Sequence, residues 1–450
     1  MELGMLIKKN YSDFAKKALV TFASGKSENV VFSPFSVVML LAILADATKG
    51  EARKEILAVI DEGVYKDFAD ILAKIQRPFI LANAVFVKKS LEKLINPEFL
   101  EKLAKYEGEL FATENYVADI NEWVYEKTEN IIEKILEEPY KPLSDASFIN
   151  TACFFADWEY FCDDENVKEC KFRNADQSFS IVNMMKCSEN YYVEDDFYRG
   201  FVKPYYDEKF SFLALLPKKS GADSFDDALE HLDFVELFSQ RKRAKVSVSM
   251  PEFECCWKGD LKKFCINLGV KTLFSQKADF SPFSKDEIGI TDMVQKATIE
   301  VNRLGAKTAA VTYCKKKLMS PLPIKSVSLD RPFVYAIVHD DTMLPVFVGA
   351  VKSIETIRAL EINFETVFDY GITDKEVRKL FKYTKCKTVE ELKEFQKSRY
   401  TNTLTGDFYS YLDLSKLFEF RGLTDKAKEY DEKADQTEFW QYEKDHPRRT

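Results

Sequence analysis

The residues from Ala297 to Val351 constrain the fold more than any other stretch of the chain. Three apolar, β-branched runs, Ala297–Val301, Phe333–Val338 and Pro345–Val351, have the composition of buried strands. The first two are separated by about thirty residues, and a connection of that length without structure of its own is uncommon in a compact domain and usually functional. From Gly305 onward, small or β-branched residues recur at every second position: Ala306, Thr308, Ala310 and Thr312. Period two is the strand period, so these side chains share one face. Lys315, Lys316 and Lys317 follow, then Leu318, Met319 and Ser320, then Pro321 and Pro323, which cannot donate to a ladder. A strand-competent segment therefore sits where the chain needs a loop, suited to being extended and exposed in one state and paired in another.

Composition narrows the function classes. Of 450 residues 46% are apolar, the fraction of a globular protein, and the length fits two or three domains or one large α/β fold. A formal charge of −9 with acids and bases interspersed leaves no basic footprint, so no nucleic-acid partner is expected. The longest apolar run, Val37 to Ala45, is about half a membrane span and reads as a buried helix, so no membrane partner is expected either. The first ten residues lack the apolar core of a secretory signal, which points to a cytoplasmic protein, with leaderless secretion as the alternative. Nine scattered cysteines without a Cys-x-x-Cys pair favour reduced thiols and disfavour zinc. The three histidines, His231, His339 and His446, lie in no nucleophile context, and no Gly-rich phosphate loop, His-Glu-x-x-His or Gly-x-Ser-x-Gly occurs. No enzyme, metal or cofactor reading has residues to rest on. Asn10-Tyr11-Ser12 is a lone glycosylation match.

In chain order, Ile7 to Phe22 has helical spacing with Phe14, Ala18, Leu19 and Phe22 on one side. A second helix runs from Val37 to Ala47, with Ser33 or Ser36 as its cap and Lys49-Gly50-Glu51 as its end. Leu81–Val87 reads as a buried strand, Pro97–Tyr106 as a helix, and Ile120–Thr128 as the opening of another. Phe148–Phe155 is an apolar strand running into Asp157-Trp158, and Phe210–Leu216 and Lys245–Met250 are two more, each stopped by proline. Helices followed by runs of strands indicate an α+β fold with large sheets.

These segments together resemble a known family. The Asn29–Ser36 entry to the second helix, its Ala47–Glu51 exit, Asn83–Val87, Ile120–Thr128, Asn150–Trp158 and Met184-Met185 occur in serpin order and near serpin spacing. So do Leu268–Ser275, Ala278–Ser281, Lys296–Asn302, Gly305–Thr312, Arg331–Phe333 and Phe347–Ala350. The resemblance covers roughly Tyr11 to Lys352. It implies three β-sheets, one of them large and five-stranded, eight or nine helices, an exposed reactive-centre loop, and a serpin domain over residues 1–354. It further implies that Ser33, Ser36, Asn150 and Gln295 form a hydrogen-bonded cluster under the opening sheet, Gln295 standing where most members carry histidine. Trp158 is implied to lie beneath the point where the loop enters. The chain is shorter than usual between Gly50 and Asn83, so a heparin-type cofactor is not supported.

By the same resemblance the loop is bait for a serine protease: once cut, it inserts as a new strand before the acyl-enzyme hydrolyses, and the protease is trapped. Gly305 is the hinge; Ala306, Thr308, Ala310, Thr312 and Cys314 are small enough to enter the sheet. Counting fourteen residues from the hinge, as the family does, places the cleaved bond at Met319-Ser320. That residue type suits an apolar S1 pocket of the chymotrypsin, elastase or cathepsin G kind. Lys317 supports a rival, trypsin-like reading with a shorter inserted strand. Lys315, Lys316, Lys317 and Leu318 are the expected protease contacts. Arg303 stands where the family usually has an acid, Leu304 beside it, and Thr308 where alanine is commoner, which keeps open a non-inhibitory serpin acting as a binding or scaffold protein. Residues 355–450 lie beyond the family's usual end and read as an α-helical extension, with caps at Thr373-Asp374 and Thr388–Glu391, available to an unknown protein partner.

Overall fold

The structure, a computed structural model, describes residues 4–66, 71, 75, 78–128, 132, 134–136, 146–154, 156–162, 164–206, 209–286, 288–290, 293–303 and 324–356. Gly305, Ala306, Thr308, Ala310, Thr312, Cys314, Lys315, Lys316, Lys317, Leu318, Met319, Ser320 and all of the expected helical extension beyond Thr356 lie outside the described residues.

Helix α1, Met5–Ala23, buries Tyr11, Phe14, Ala18, Leu19 and Phe22, the face its spacing predicts. Helix α2, Pro34–Ala47, is buried along its whole length. It lies between two sheets, touching strand β14, Leu344–Val351, on one side and β4, Ala146–Phe154, on the other. That position explains why its sequence is apolar all round. Gly50 does not merely end α2: at φ +68 it opens helix α3, Gly50–Ile60, after a two-residue break. Helix α4 spans Pro97–Lys105 and α5 Tyr116–Lys127. The expectation that Ile120 opens a helix is corrected, since α5 begins at Tyr116 and Thr128 is its C-cap, donating its backbone N–H to Val124 O at 3.0 Å. Tyr116, Ile120, Trp123 and Val124 form the buried face of α5, and they cluster with Ala84, Phe86 and Cys153 on one face of the smaller sheet.

That smaller sheet has five strands in the order β10-β11-β4-β2-β3, where β2 is Phe79–Lys88, β3 Gly108–Thr113, β10 Phe253–Asp260 and β11 Val294–Val301. The remaining described strands join one nine-stranded sheet: β1, Val30–Phe32; β5, Val167–Arg173; β6, Phe179–Glu194; β7, Tyr198–Pro204; β8, Phe210–Pro217; β9, Lys242–Pro251; β12, Ile324–Ser328; β13, Phe333–His339; and β14. Three separate sheets were expected. The difference comes from the sixteen-residue β6, which pairs β5 along its first part, β9 through its middle and β7 at its end, so two of the expected sheets run into one another through it. Gly349 is required on β14 by close approach: a Cβ there would fall 2.2 Å from the Tyr335 ring. No helix among the described residues is long and apolar enough to cross a membrane.

Candidate functional site

The arrangement that matters most is the pairing of β4 with β11. The two strands run parallel at the centre of the five-stranded sheet and are in register over four positions, Gln295 with Asn150 through Thr298 with Cys153. The outer neighbours of this pair, β2 and β10, are both antiparallel to it. β4 and β11 therefore meet directly, with no strand between them at those positions. Beyond Val301 the chain leaves β11, and its next described strand, β12, belongs to the other sheet, where it pairs with β9.

Under this pair lies a polar cluster in an otherwise apolar interior. Ser33 caps α2, its Oγ accepting from Ser36 N at 3.2 Å while donating to Val346 O at 2.8 Å. Gln295 clasps the Ser33 backbone, accepting from its N–H at 3.0 Å and donating Nε2 to its carbonyl at 3.1 Å. The Ser36 hydroxyl donates to Asn150 Oδ1, and Asn150 Nδ2 donates to Asn83 Oδ1 at 2.7 Å. All five residues are at most 2% exposed, so every one of these bonds replaces water. The cluster thus ties β4 and β2 through α2 to β11 and β14. Sequence reasoning grouped Ser33, Ser36, Asn150 and Gln295 with Trp158 as the sheet-opening set; hydrogen bonds join the first four, Trp158 is engaged elsewhere, and Asn83, read only as a strand residue, belongs with the four.

Trp158 lies apart from that cluster, where the chain leaves both strands. Its Nε1 donates to Asn302 O at 2.8 Å, one residue past β11, and its ring stacks on Tyr205 at 4.4 Å. Cys162 N donates to Arg303 O at 3.0 Å, and Arg303 N donates to Glu252 Oε1 at 3.3 Å. The other oxygen of Glu252 accepts from Asn183 Nδ2 at 2.7 Å. Three hydrogen bonds therefore fix the backbone at Asn302 and Arg303, the last described residues before the expected hinge, and Asn183 steadies the Glu252 that makes one of them.

Trp158 is itself supported from below by a buried ion pair that sequence reasoning missed. Lys203 Nζ lies 5.1 Å from the Trp158 ring centroid, 2.7 Å from Glu189 Oε1 and 2.7 Å from Tyr160 O. The two side chains are 1% and 3% exposed. Burial alone opposes the ammonium form, but the Glu189 carboxylate outweighs it and holds Lys203 above the ordinary lysine range. Burial pushes the Glu189 carboxyl up, with Lys203 pulling against it. The signal available in the sequence was a lone charge inside the apolar run Gly200-Phe201-Val202-Lys203, which strand periodicity places among buried side chains. The histidines are structural where described: His231 stacks on Phe197 at 3.9 Å, and the buried His339 is 3.0 Å from Thr342 Oγ1. Asn10 and Ser12 of the glycosylation match are engaged with Asp61 and Asp233.

Comparison with known proteins agrees with this architecture. The model of the family described as "Serpin (serine protease inhibitor)" matches residues 9–354. Serpin B6 of Macaca fascicularis is 27% identical over 367 residues, 76% of this chain and 97% of that protein. Neuroserpin of Mus musculus is 26% identical, covering 76% and 90%. Among solved structures, the thermophilic serpin tengpin in its native state superposes with a TM-score of 0.71 at 29% identity, covering 79% of this chain and 96% of tengpin. With a family model spanning most of its length and a five-stranded sheet organised around the β4–β11 pair, the chain belongs to the serpin family.

Proposed function

We propose that this protein is a suicide inhibitor of a serine endopeptidase with an apolar S1 preference, cleaved at Met319-Ser320 and trapping the acyl-enzyme by inserting the segment from Ala306 to Cys314 between β4 and β11. The observation that carries this reading is the parallel pair itself. A chain that leaves the end of β11 and folds straight back between β11 and β4 runs antiparallel to both. Insertion would exchange one short parallel ladder, the slightly weaker kind per residue, for two antiparallel ones. The residues available to enter place small side chains, Ala306, Thr308, Ala310 and Thr312, at every second position, which a closing sheet accommodates. The contacts at Asn302 and Arg303, together with the Ser33, Ser36, Asn150 and Gln295 cluster, are then what the loop must loosen to enter.

The hinge departures at Arg303 and Thr308 do not place a bulky charge in the inserting face: Thr308 is small, and the Arg303 backbone is held by Cys162 and Glu252. In this reading residues 1–354 are the inhibitory unit and 355–450 a separate helical extension. The experiment is incubation of the full chain with chymotrypsin-like, elastase-like and cathepsin G-like enzymes. The expected result is a complex that survives SDS and a released peptide whose mass begins at Ser320. Cleaved loop without any complex, across the panel, would overturn the inhibitor reading.

A further inference from the structure

A cavity of about 360 Å³ opens where the end of α1, the turn between β5 and β6, the segment after β8 and the entry to β13 meet. None of its lining residues belongs to the five-stranded sheet, so it is separate from the loop-entry site. Its charge is unbalanced. Lys26, Arg173, Lys219, Arg331 and Lys352 line it, against Asp176 and Asp226. Asp226 is already occupied, accepting from Gly25 N at 2.7 Å and from Lys352 Nζ at 3.2 Å. Lys352 spends its remaining donors on Ala23 O and Lys26 O, at 2.6 and 2.7 Å, and acts as a structural post. Asp176 turns inward on its own loop, accepting from Ser178 N at 2.9 Å and Ser178 Oγ at 2.6 Å.

The remaining cations keep donors for a ligand. Lys26, Arg173 and Lys219 make no ion pair among the described residues. The Arg331 side chain is only 14% exposed, yet its ion-pair partner among the described residues, Asp330, is half exposed and 3.4 Å away. One Arg331 nitrogen donates to Pro217 O at 2.8 Å, leaving other N–H groups of its five unassigned by those contacts. Burial, with Arg199 and Arg173 close by, draws the Arg331 guanidinium below its ordinary range despite Asp330. A mostly buried guanidinium beside a second one, with too few carboxylates, is costly unless an anion joins them.

We propose that this cavity is a binding site for a small phosphate- or sulfate-bearing molecule, its oxyanion seated between Arg173, Arg331 and Lys219 and its remainder lying on Pro217, Phe225 and Pro332. Arginine forks match tetrahedral oxyanions through paired N–H···O bonds, and a cavity of this volume is in the range that encloses small ligands. The proposal goes beyond the inhibitor reading and does not depend on it.

The test is calorimetric titration of the full chain with inorganic pyrophosphate and, separately, with sodium sulfate, each against sodium chloride at matched ionic strength. Saturable binding of either probe, with a rise in the unfolding midpoint that chloride does not give, is expected; which of the two binds tighter distinguishes a phosphate from a sulfate ligand. Arg173→Gln and Lys219→Gln remove no described hydrogen bond and should fold normally, with the double variant weakening binding at least tenfold. Arg331→Lys keeps the charge but loses the fork, and an intermediate loss is expected. Absence of saturable binding by the unmodified chain, or unchanged affinity in the Arg173→Gln/Lys219→Gln variant, would overturn the assignment.

Discussion

Replacing Lys203 by Met tests whether the support beneath Trp158 is electrostatic. The substitution keeps most of the side-chain volume but leaves the Glu189 carboxylate, 3% exposed, without the ammonium 2.7 Å away. Breaking one side of a buried ion pair costs about 3–5 kcal/mol, because the surviving charge has lost both water and partner. Unfolding entropies near 2.1 cal/mol/K per residue give about 0.7 kcal/mol/K for a unit of roughly 350 residues, so the thermal midpoint should fall by about 4–7 °C. The double variant Lys203→Met/Glu189→Leu removes both charges and should recover most of that loss, since apolar replacement of a whole buried pair is often neutral or stabilising. The assay is thermal unfolding by circular dichroism on the wild type, both single variants and the double. A second readout is Trp158 emission, which should shift in Lys203→Met because the ammonium 5.1 Å from its ring is gone. A loss below about 1 kcal/mol in the single variant, or a double variant no more stable than the singles, would refute the reasoning, since measured couplings in a linked pair run from about 0.5 to 3 kcal/mol.

Two further predictions concern the hinge. Trp158→Phe retains a ring to stack on Tyr205 but loses the 2.8 Å bond to Asn302 O, worth about 0.5–1.5 kcal/mol. If that bond breaks before the loop enters, spontaneous loss of inhibitory capacity on warming should speed up by about two- to tenfold, and an unchanged rate would separate Trp158 from loop entry. Thr308→Arg places a charge on the face assigned to enter the sheet and should convert inhibitor to substrate, read as cleaved protein in place of SDS-stable complex; unaltered complex formation would show that the assigned register is wrong.

Much of the architecture could be read from the chain because its signals are local. The apolar runs that became β8, β11, β13 and β14, and the alternation that became β9, are strand signals written directly in the sequence. The cap of α2 was legible as a choice between Ser33 and Ser36; the structure takes Ser33 and starts the helix at Pro34, three residues before the expected Val37. What escaped was non-local. Lys203 and Glu189 are fourteen positions apart on adjacent strands, and nothing in either strand marks the other as its partner. Asn183 and Glu252 meet only because β6 lies against β9, and the start of α5 was misplaced because Tyr116 follows an Asn115 whose side chain makes no cap bond. The union of two expected sheets through β6 depends on pairing partners that the period of a single strand does not specify.

The central claim is that β4 and β11 must part for the chain beyond Val301 to enter. Thr298 lies directly across from Cys153 in the parallel register, and neighbouring strands are about 4.8 Å apart, inside the Cα window of roughly 4.4–6.8 Å for a disulfide. Thr298→Cys therefore allows the pair to be bolted shut by oxidation and released by reductant, with Cys153→Ser/Thr298→Cys as the control. Measured against a protease that the wild type traps, the oxidised variant should be cut without forming an SDS-stable complex, and the reduced variant should trap normally. Trapping by the oxidised protein, at the level of the reduced one, would contradict the account.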